Sequence, residues 1–314
     1  MPMLQDLKSR AKSLLASNPA LYRPLSNAFR SIEVLRGMAY VASQRSKVMM
    51  GSRPIVVDYH GQPRPRWDGA GHPELARIIG DRRADYAARI REFGRFRGAI
   101  ENIALGDPGN PLEPTWTNDY FNGIDAVALY GTLATLRPRR YFEIGSGFST
   151  KLARRAVRDQ GLPTKMLSID PFPRSQIDEL CDVVVRRALE DVDATVFDEL
   201  EAGDILFFDG SHHTFMSSDG VVLFLEVMPR LRSGVLVHIH DIFLPYDYPA
   251  TWADRYYTEQ YMLAMGLMSP GCRWEIVFPS QFVMRDAELA GLLHTEIGPR
   301  AEAGAAASFW LRIV

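Results

Sequence analysis

Acidic and imidazole side chains follow two short apolar runs of the sequence. Asp209 and His212 come after the run Ile-Leu-Phe-Phe, and His240 and Asp241 close the run Val-Leu-Val-His-Ile. Ligands of parallel α/β sheets bind outside the carboxyl ends of the strands, so we expect these side chains to converge at one edge. There a divalent metal would lower the pKa of a bound hydroxyl group, and a neighbouring histidine would accept its proton.

Two glycines separate another apolar run from a segment that favours a helix. Gly145 and Gly147 follow the run Tyr-Phe-Glu-Ile, and Ser149 and Thr150 lead into residues 151–157. Glycine allows a tight turn and lets the backbone approach a ligand closely. The helix that follows offers free N–H groups and the positive end of its dipole. The pattern therefore predicts a cofactor-binding strand, turn and helix.

Short apolar runs alternate with helix-length segments in the rest of the chain. Helices are predicted over residues 73–97, 123–136, 221–228 and 252–267. The predicted strands cover residues 141–144, 165–170, 182–185, 204–209, 234–241, 274–278 and 308–314. Strands that alternate with helices are typical of a parallel sheet covered on both faces. We therefore predict an α/β fold with a Rossmann-like, doubly wound and mostly parallel seven-stranded sheet.

The composition is that of an ordinary globular protein and disfavours several classes. The 314 residues carry a formal net charge of −2, which gives no reason to expect nucleic acid as a partner. No apolar run is long enough to span a bilayer, and the first residues show no secretory pattern. Cys181 and Cys272 do not form a disulfide framework, so a cytoplasmic location is expected.

A strong break at residues 107–111, Asp-Pro-Gly-Asn-Pro, indicates a domain boundary. We place a helical N-terminal extension with a linker at residues 1–112 and the α/β domain at residues 113–314. Residues 1–50 are basic and carry apolar residues at helical spacing. Such a segment packs on the main domain or a second subunit, or lies on an anionic membrane surface. Peripheral membrane contact and a homo-oligomer therefore both stay open.

Three side chains near the glycine turn bear on the type of cofactor. Thr150 takes the place of a third glycine, so the dinucleotide fingerprint is incomplete. Asp170 ends the second predicted strand, where an acid accepts hydrogen bonds from the ribose of NAD or of an adenosyl cofactor. Glu143 lies two residues before the first glycine. Its negative charge disfavours a diphosphate and suits a cofactor with a cationic centre and an amino group.

The segment from Glu143 to Thr150 resembles the first motif of class I S-adenosylmethionine-dependent methyltransferases. Further segments that carry the resemblance are Ser168–Pro171, Phe208–His212, His238–Ile242 and Glu259–Tyr261. Together they resemble one subgroup, the sugar and small-molecule O-methyltransferases related to the macrocin and cephalosporin-hydroxylase-like enzymes. The resemblance extends from Trp116 to Val314.

This resemblance implies the cofactor site. The glycine turn would line the methionine part of S-adenosylmethionine, and Asp170 would hold the ribose. Glu143 would lie under the turn, near the cofactor amino group directly or through water. The last two strands would form an antiparallel edge of the sheet. The cofactor-binding residues implied in this way are Glu143, Gly145, Ser146, Gly147, Asp170 and Asp209.

The same resemblance implies a metal site and a base. In the subgroup, acids that end the fourth and fifth strands bind a divalent cation, which maps to Asp209, His240 and Asp241 here. The proposed base maps to His212. His240 stands where those enzymes carry an acid, which weakens Mg²⁺ binding and favours Mn²⁺, Fe²⁺ or Zn²⁺.

The resulting hypothesis is an S-adenosylmethionine-dependent O-methyltransferase that acts on a hydroxyl of a sugar or small polar metabolite, with divalent-metal assistance left open. Two alternatives stay open at this point. One is an NAD-dependent oxidoreductase, against which Glu143 and the missing third glycine argue. The other is a non-catalytic module that uses a methyltransferase fold to bind a partner.

Overall fold

Seven strands form one mixed sheet, which carries the rest of the chain on its faces. The structure is a computed structural model that describes residues 63–304 and 306–314. The strands are β1 Arg140–Ile144, β2 Lys165–Ile169, β3 Val183–Val185, β4 Ile205–Phe208, β5 Leu236–Ile239, β6 Trp274–Pro279 and β7 Phe309–Ile313. Each of the seven predicted strands is present, and each end lies within two residues of its predicted position.

The strand order is β3-β2-β1-β4-β5-β7-β6. Strands β1 to β5 run parallel, whereas β7 is antiparallel to both of its neighbours, β5 and β6. The predicted Rossmann-like, mostly parallel sheet with an antiparallel C-terminal edge is therefore confirmed. The chain order changes direction between β1 and β4, and ligands of open α/β sheets bind at the carboxyl ends of the strands at such a point.

Nine α-helices accompany the sheet in the part of the chain that the structure describes. They are α1 Pro73–Gly80, α2 Arg83–Gly94, α3 Arg97–Glu101, α4 Gly123–Leu136, α5 Phe148–Asp159, α6 Asp219–Val222, α7 Glu259–Met268, α8 Ser280–Arg285 and α9 Ala287–Ile297. Helix α6 continues as a π-helical turn, Leu223–Val227, and a 3₁₀ turn, Met228–Arg230. Separate 3₁₀ turns are Asp178–Leu180, Leu189–Asp191, Ala194–Glu199, Ala250–Arg255 and Pro299–Glu302.

Two predicted helices are divided in the structure. The helix predicted over residues 73–97 consists of α1, α2 and the start of α3, because Gly80 and Gly94 close the first two. The helix predicted over residues 252–267 is a 3₁₀ turn followed by α7. Tyr256, with a left-handed φ of 54°, separates the two parts.

The helices before β1 share the hydrophobic core of the sheet. Phe93 of α2 is buried, with its ring 5.3 Å from that of Phe278 on β6. Its ring also covers Gly131 of α4, where an added Cβ would lie 2.2 Å from Phe93. Residues 63–314 accordingly form one compact unit. The predicted boundary after residue 112 stays a prediction for the chain as a whole, since residues 1–62, including the basic segment, lie outside the described residues.

Among the helices in residues 63–304 and 306–314, none combines the length and the apolar character that crossing a bilayer requires.

Candidate active site

The glycine turn joins β1 to α5 and touches the end of β4. Gly145 has a left-handed φ of 77°, and a Cβ added there would lie 1.8 Å from the backbone oxygen of Asp209. No larger residue fits without moving one of the two strands. At Gly147, by contrast, an added Cβ would meet no protein atom within 4 Å. The turn is therefore tight against the sheet on one side and open on the other.

The carboxylate of Glu143 lies beneath this turn and is buried. It accepts hydrogen bonds from the hydroxyls of Tyr141, Ser149 and Thr150, at 3.2, 2.6 and 2.5 Å. Thr150 in turn accepts a hydrogen bond from the N–H of Gly147 at 3.0 Å. Burial raises the pKa of Glu143 to about 7, although the hydroxyl donors oppose the rise. The network fastens the first turn of α5 to β1.

Asp170 follows β2 and fixes the loop on the other side of the turn. Its Oδ2 accepts a hydrogen bond from the N–H of Ser146 at 2.7 Å, and its Oδ1 accepts one from the N–H of Phe172 at 2.7 Å. The hydroxyl of Ser146 lies 2.7 Å from that of Ser168. Each carboxylate oxygen of Asp170 keeps a second lone pair, so both remain able to accept a ligand hydroxyl.

A cleft of about 280 Å³ opens between these loops at the carboxyl ends of β1, β2 and β4. Five of the six residues predicted to bind the cofactor line it, and Glu143 does not. The five are Gly145, Ser146, Gly147, Asp170 and Asp209. Residues 188–190, which follow β3, line the same cleft. Any contact between Glu143 and a ligand would therefore pass through its hydroxyl network, and its predicted cofactor role stays a prediction.

Asp209, His212 and Asp241 form a cluster beside the cleft. The Nε2 atom of His212 lies 3.4 Å from Oδ1 of Asp209 and 3.3 Å from Oδ2 of Asp241. His212 and Asp241 both have left-handed backbone, with φ of 63° and 56°. Histidine and aspartate adopt this conformation more readily than most residues, and it persists where the surroundings fix it. The structure thus brings together the side chains that follow β4 with those that follow β5.

His240 completes the cluster from its buried side. Its Nδ1 lies 3.7 Å from Oδ1 of Asp209 and 3.6 Å from Oδ1 of Asp241, while its Nε2 lies 3.5 Å from Oδ2 of Asp125. Asp125 of α4 also accepts hydrogen bonds from two backbone N–H groups before β7, at 2.8 and 3.0 Å. Burial disfavours the charged imidazole, but Asp209 and Asp241 outweigh burial and raise the pKa of His240 well above its ordinary value.

His212 is oriented by Glu259, the first residue of α7. The Nδ1 atom of His212 lies 2.7 Å from Oε1 of Glu259, whose side chain is fully buried. Burial lowers the pKa of His212, but the facing Glu259 and then Asp209 and Asp241 raise it to about 9. Burial likewise opposes ionisation of Asp209, yet His240 and His212 hold its pKa below the ordinary value. The cluster therefore combines two buried imidazoles with two partly exposed carboxylates, and their charges compensate one another.

Residues 142–242 match a family model described as a methyltransferase domain. The matched segment contains the glycine turn and the whole of the cluster that follows β4 and β5. Residues 142–242 form a methyltransferase domain. Together with the strand order, the match confirms the predicted class I S-adenosylmethionine-dependent methyltransferase. A comparison of the sequence with curated proteins finds no match.

Several solved structures are similar to this methyltransferase. They include a methyltransferase of Podospora anserina, PaMTH1, bound to S-adenosylhomocysteine, with 11% identity over 83% of this chain and 100% of that chain and a TM-score of 0.39. A putative O-methyltransferase from Klebsiella pneumoniae has 11% identity over 73% and 89% of the two chains and a TM-score of 0.37. An O-methyltransferase from Bacillus cereus in complex with S-adenosylhomocysteine has 13% identity over 72% and 91%, and a TM-score of 0.35. TM-scores this low carry no argument about function, so the assignment rests on the family match and the strand order.

Some residues of the methyltransferase site were not predicted from sequence. Asp125 and Glu259 contact the cluster from α4 and α7, which are distant from it along the chain. The segment Glu259–Tyr261 carries part of the sequence resemblance, but nothing in the sequence pairs Glu259 with His212. Asp219 lines the cleft and accepts hydrogen bonds from the hydroxyl and the N–H of Ser211 at 2.5 and 2.6 Å. It thereby fixes the loop that carries His212.

Replacement of Gly145 by alanine should destabilise the methyltransferase more than a left-handed φ alone does. A left-handed φ destabilises the folded state by about 1–2 kcal/mol at any non-glycine residue. At position 145 the new methyl group would in addition collide with the backbone of Asp209. Gly109→Ala is the matched control, because Gly109 has a φ of 71° and no atom within 4 Å of an added Cβ. Urea unfolding of both variants tests this, and equal losses of stability would contradict the close contact.

Glu143 should make stability depend on pH in a defined direction. The unfolded chain releases this proton near the ordinary pKa of 4.5, whereas the folded protein retains it up to about 7. Between these values the folded state binds more protons, so the stability that the group contributes is present below pH 4.5 and is lost as the pH rises through 7.

We therefore expect the free energy of unfolding of the wild type, relative to Glu143→Gln, to fall across this pH range. Urea unfolding at a series of pH values measures the difference. Glu226→Gln, which changes an exposed glutamate, is the control. A difference that does not vary with pH would show that Glu143 is not the buried acid described above.

Proposed function

We propose that this methyltransferase transfers the methyl group of S-adenosylmethionine to a hydroxyl group of a sugar or another small polar metabolite. The observation that carries the proposal is that Asp209 belongs both to the cleft and to the cluster around His212. It lines the cleft together with Gly145 and Asp170, and its Oδ1 lies 3.4 Å from Nε2 of His212. A hydroxyl group held at His212 would therefore lie next to a cofactor in the cleft.

The reaction needs little covalent chemistry from the protein. S-Adenosylmethionine in the cleft would supply the methyl group: the acceptor oxygen would bond to the methyl carbon, and the electrons of the broken carbon–sulfur bond would stay on the sulfur of S-adenosylhomocysteine. In its neutral form, His212 would accept the hydroxyl proton at Nε2, which faces the cluster because Nδ1 is held by Glu259. Because the facing acids raise the pKa of His212 to about 9, the neutral form requires a higher pH or a cation that compensates those acids. Most of the acceleration comes from the alignment of the two reactants, which the fixed loops after β4 and β5 provide.

The cluster also fits a divalent cation. Asp209, His240 and Asp241 each offer a ligand atom, and these atoms lie within 4.8 Å of one another. The other ring nitrogen of His240 faces Asp125, as a metal-bound histidine usually faces a carboxylate with its second N–H. A bound cation would polarise the acceptor hydroxyl and would neutralise the carboxylates that keep His212 protonated. One imidazole among the ligands favours Mn²⁺ or Fe²⁺ over Mg²⁺.

The sugar acceptor is supported by aromatic side chains near His212. The ring of Tyr257 lies 4.5 Å from that of His212, and Trp252 packs edge-on against Tyr257 at 5.8 Å. Tyr257 is only half-buried. An aromatic face beside polar groups suits the apolar face of a sugar ring, whose hydroxyls then point toward the acids.

Binding of S-adenosylhomocysteine, measured by calorimetry, tests the cofactor. The wild type should bind it with a micromolar or lower dissociation constant, and absence of binding would remove the proposal. A fluorescence titration with NADH, which should show no binding, distinguishes the oxidoreductase alternative.

His212→Asn should then separate catalysis from cofactor binding, because asparagine tolerates the left-handed backbone at this position. We expect unchanged affinity for S-adenosylhomocysteine and a loss of methyl transfer from labelled cofactor of about 100-fold or more. Normal turnover of the variant on an acceptor that the wild type methylates would show that His212 is not the base.

Asp241→Asn should remove cation binding without unfolding the protein, since asparagine also tolerates the φ of 56°. Electron paramagnetic resonance of free Mn²⁺ during titration measures the binding directly. Asp254→Asn is the control, because it makes the same substitution at an exposed aspartate. This variant should bind Mn²⁺ as the wild type does. Equal Mn²⁺ binding by all three proteins would contradict the metal site.

A further inference from the structure

The cofactor cleft contains one positive side chain among several acids. Its charged lining residues are Arg174 and four acids, Asp170, Glu190, Asp209 and Asp219. Within residues 63–304 and 306–314, Arg174 is thus the sole lysine or arginine that lines the cleft. S-Adenosylmethionine carries a sulfonium, an ammonium and a carboxylate. The acids suit the two cationic groups, which leaves the carboxylate to be matched.

The guanidinium of Arg174 is not committed to a carboxylate of the protein. Two other arginines are paired, Arg154 with Asp182 and Arg186 with Asp178. In the part of the chain that the structure describes, Arg174 has no such ion pair, and its side chain packs with Cζ 5.3 Å from the centre of the Tyr120 ring. Stacking of this kind orders an arginine without using its N–H donors.

Tyr120 connects Arg174 to the glycine turn. The Tyr120 ring stacks on that of Phe148 at 5.4 Å, with 16° between the planes. Phe148 is the first residue of α5 and directly follows Gly147. All three stacked side chains line the cleft. The stack therefore links the guanidinium of Arg174, in the loop after β2, to the N-terminus of α5. Free N–H groups and the helix dipole also favour an anion at this N-terminus.

We infer that Arg174 binds the carboxylate of the methionine part of the cofactor, at the open side of the glycine turn. The inference rests on the proposed function, since it requires an adenosyl amino-acid cofactor. It adds a specificity residue that no motif of the sequence indicated: Arg174 distinguishes a cofactor with a free carboxylate from one without. An adenosine derivative that lacks this group would lose the contribution of the arginine.

Two ligands that differ only in the carboxylate provide the test. Calorimetry with S-adenosylhomocysteine and with its decarboxylated analogue, which keeps the amine, is carried out on the wild type, Arg174→Met and Arg174→Lys. Arg187→Met is the control, because Arg187 is an exposed arginine close in sequence that does not line the cleft. Methionine preserves the stacking on Tyr120 through its flexible thioether.

We expect the Arg174→Met substitution to lower the affinity for S-adenosylhomocysteine by about 10- to 100-fold, which is the usual effect of losing a charged hydrogen bond. The decarboxylated analogue should bind the variant and the wild type within about threefold of each other, and Arg174→Lys should recover part of the loss. Arg187→Met should bind both ligands normally.

Three outcomes would overturn the inference. If Arg174→Met lost affinity for both ligands equally, Arg174 would contact the adenosine part of the ligand or maintain the shape of the cleft. Unchanged affinity for both would show that it does not contact the cofactor, and if methyl transfer then fell, Arg174 would serve the acceptor instead. Failure of the wild type to bind S-adenosylhomocysteine would instead contradict the proposed function itself.

Discussion

The close approach of Gly145 to the backbone of Asp209 is the contact on which the site depends. An added Cβ at Gly145 would lie 1.8 Å from the Asp209 oxygen, so the ends of β1 and β4 meet without any side chain between them. Because of this contact, the turn that lines the cleft and the first acid of the cluster are parts of one rigid corner. A cofactor on one side and an acceptor on the other would therefore be held at a fixed separation.

Opposite charges stabilise the cluster of two histidines and two aspartates, which has little access to solvent. A buried carboxylate or imidazolium is costly unless another charge or hydrogen bond faces it. His240 faces Asp209 and Asp241 on one side and Asp125 on the other, and His212 lies between the same two acids and Glu259. The two imidazoles thus hold together acids that would otherwise repel one another.

The two sides of the cleft are fixed by different forces. Beneath the turn, the buried carboxylate of Glu143 accepts hydrogen bonds from the hydroxyls of Ser149 and Thr150. These bonds fix the first turn of α5. Above it, Tyr120 and Arg174 pack by stacking at a partly exposed surface. Buried hydrogen bonds of the first kind give a rigid base. Stacking keeps the donors of an arginine available, and so it suits the side that receives a ligand.

The sequence by itself determined the sheet, the glycine turn and most of the residues at the strand ends. These are local or periodic features: apolar runs, glycines before a helix, and acids directly after strands. Only the tertiary structure showed that Glu143 is shielded from the cleft and that Asp125, Glu259 and Arg174 reach the site. Asp125 and Glu259 come from helices outside the strand ends, and Arg174 comes from the irregular loop after Asp170. No periodicity of the sequence fixes which of these side chains reach the site. Their position follows from how the helices and loops pack on the sheet, which is decided by the core as a whole.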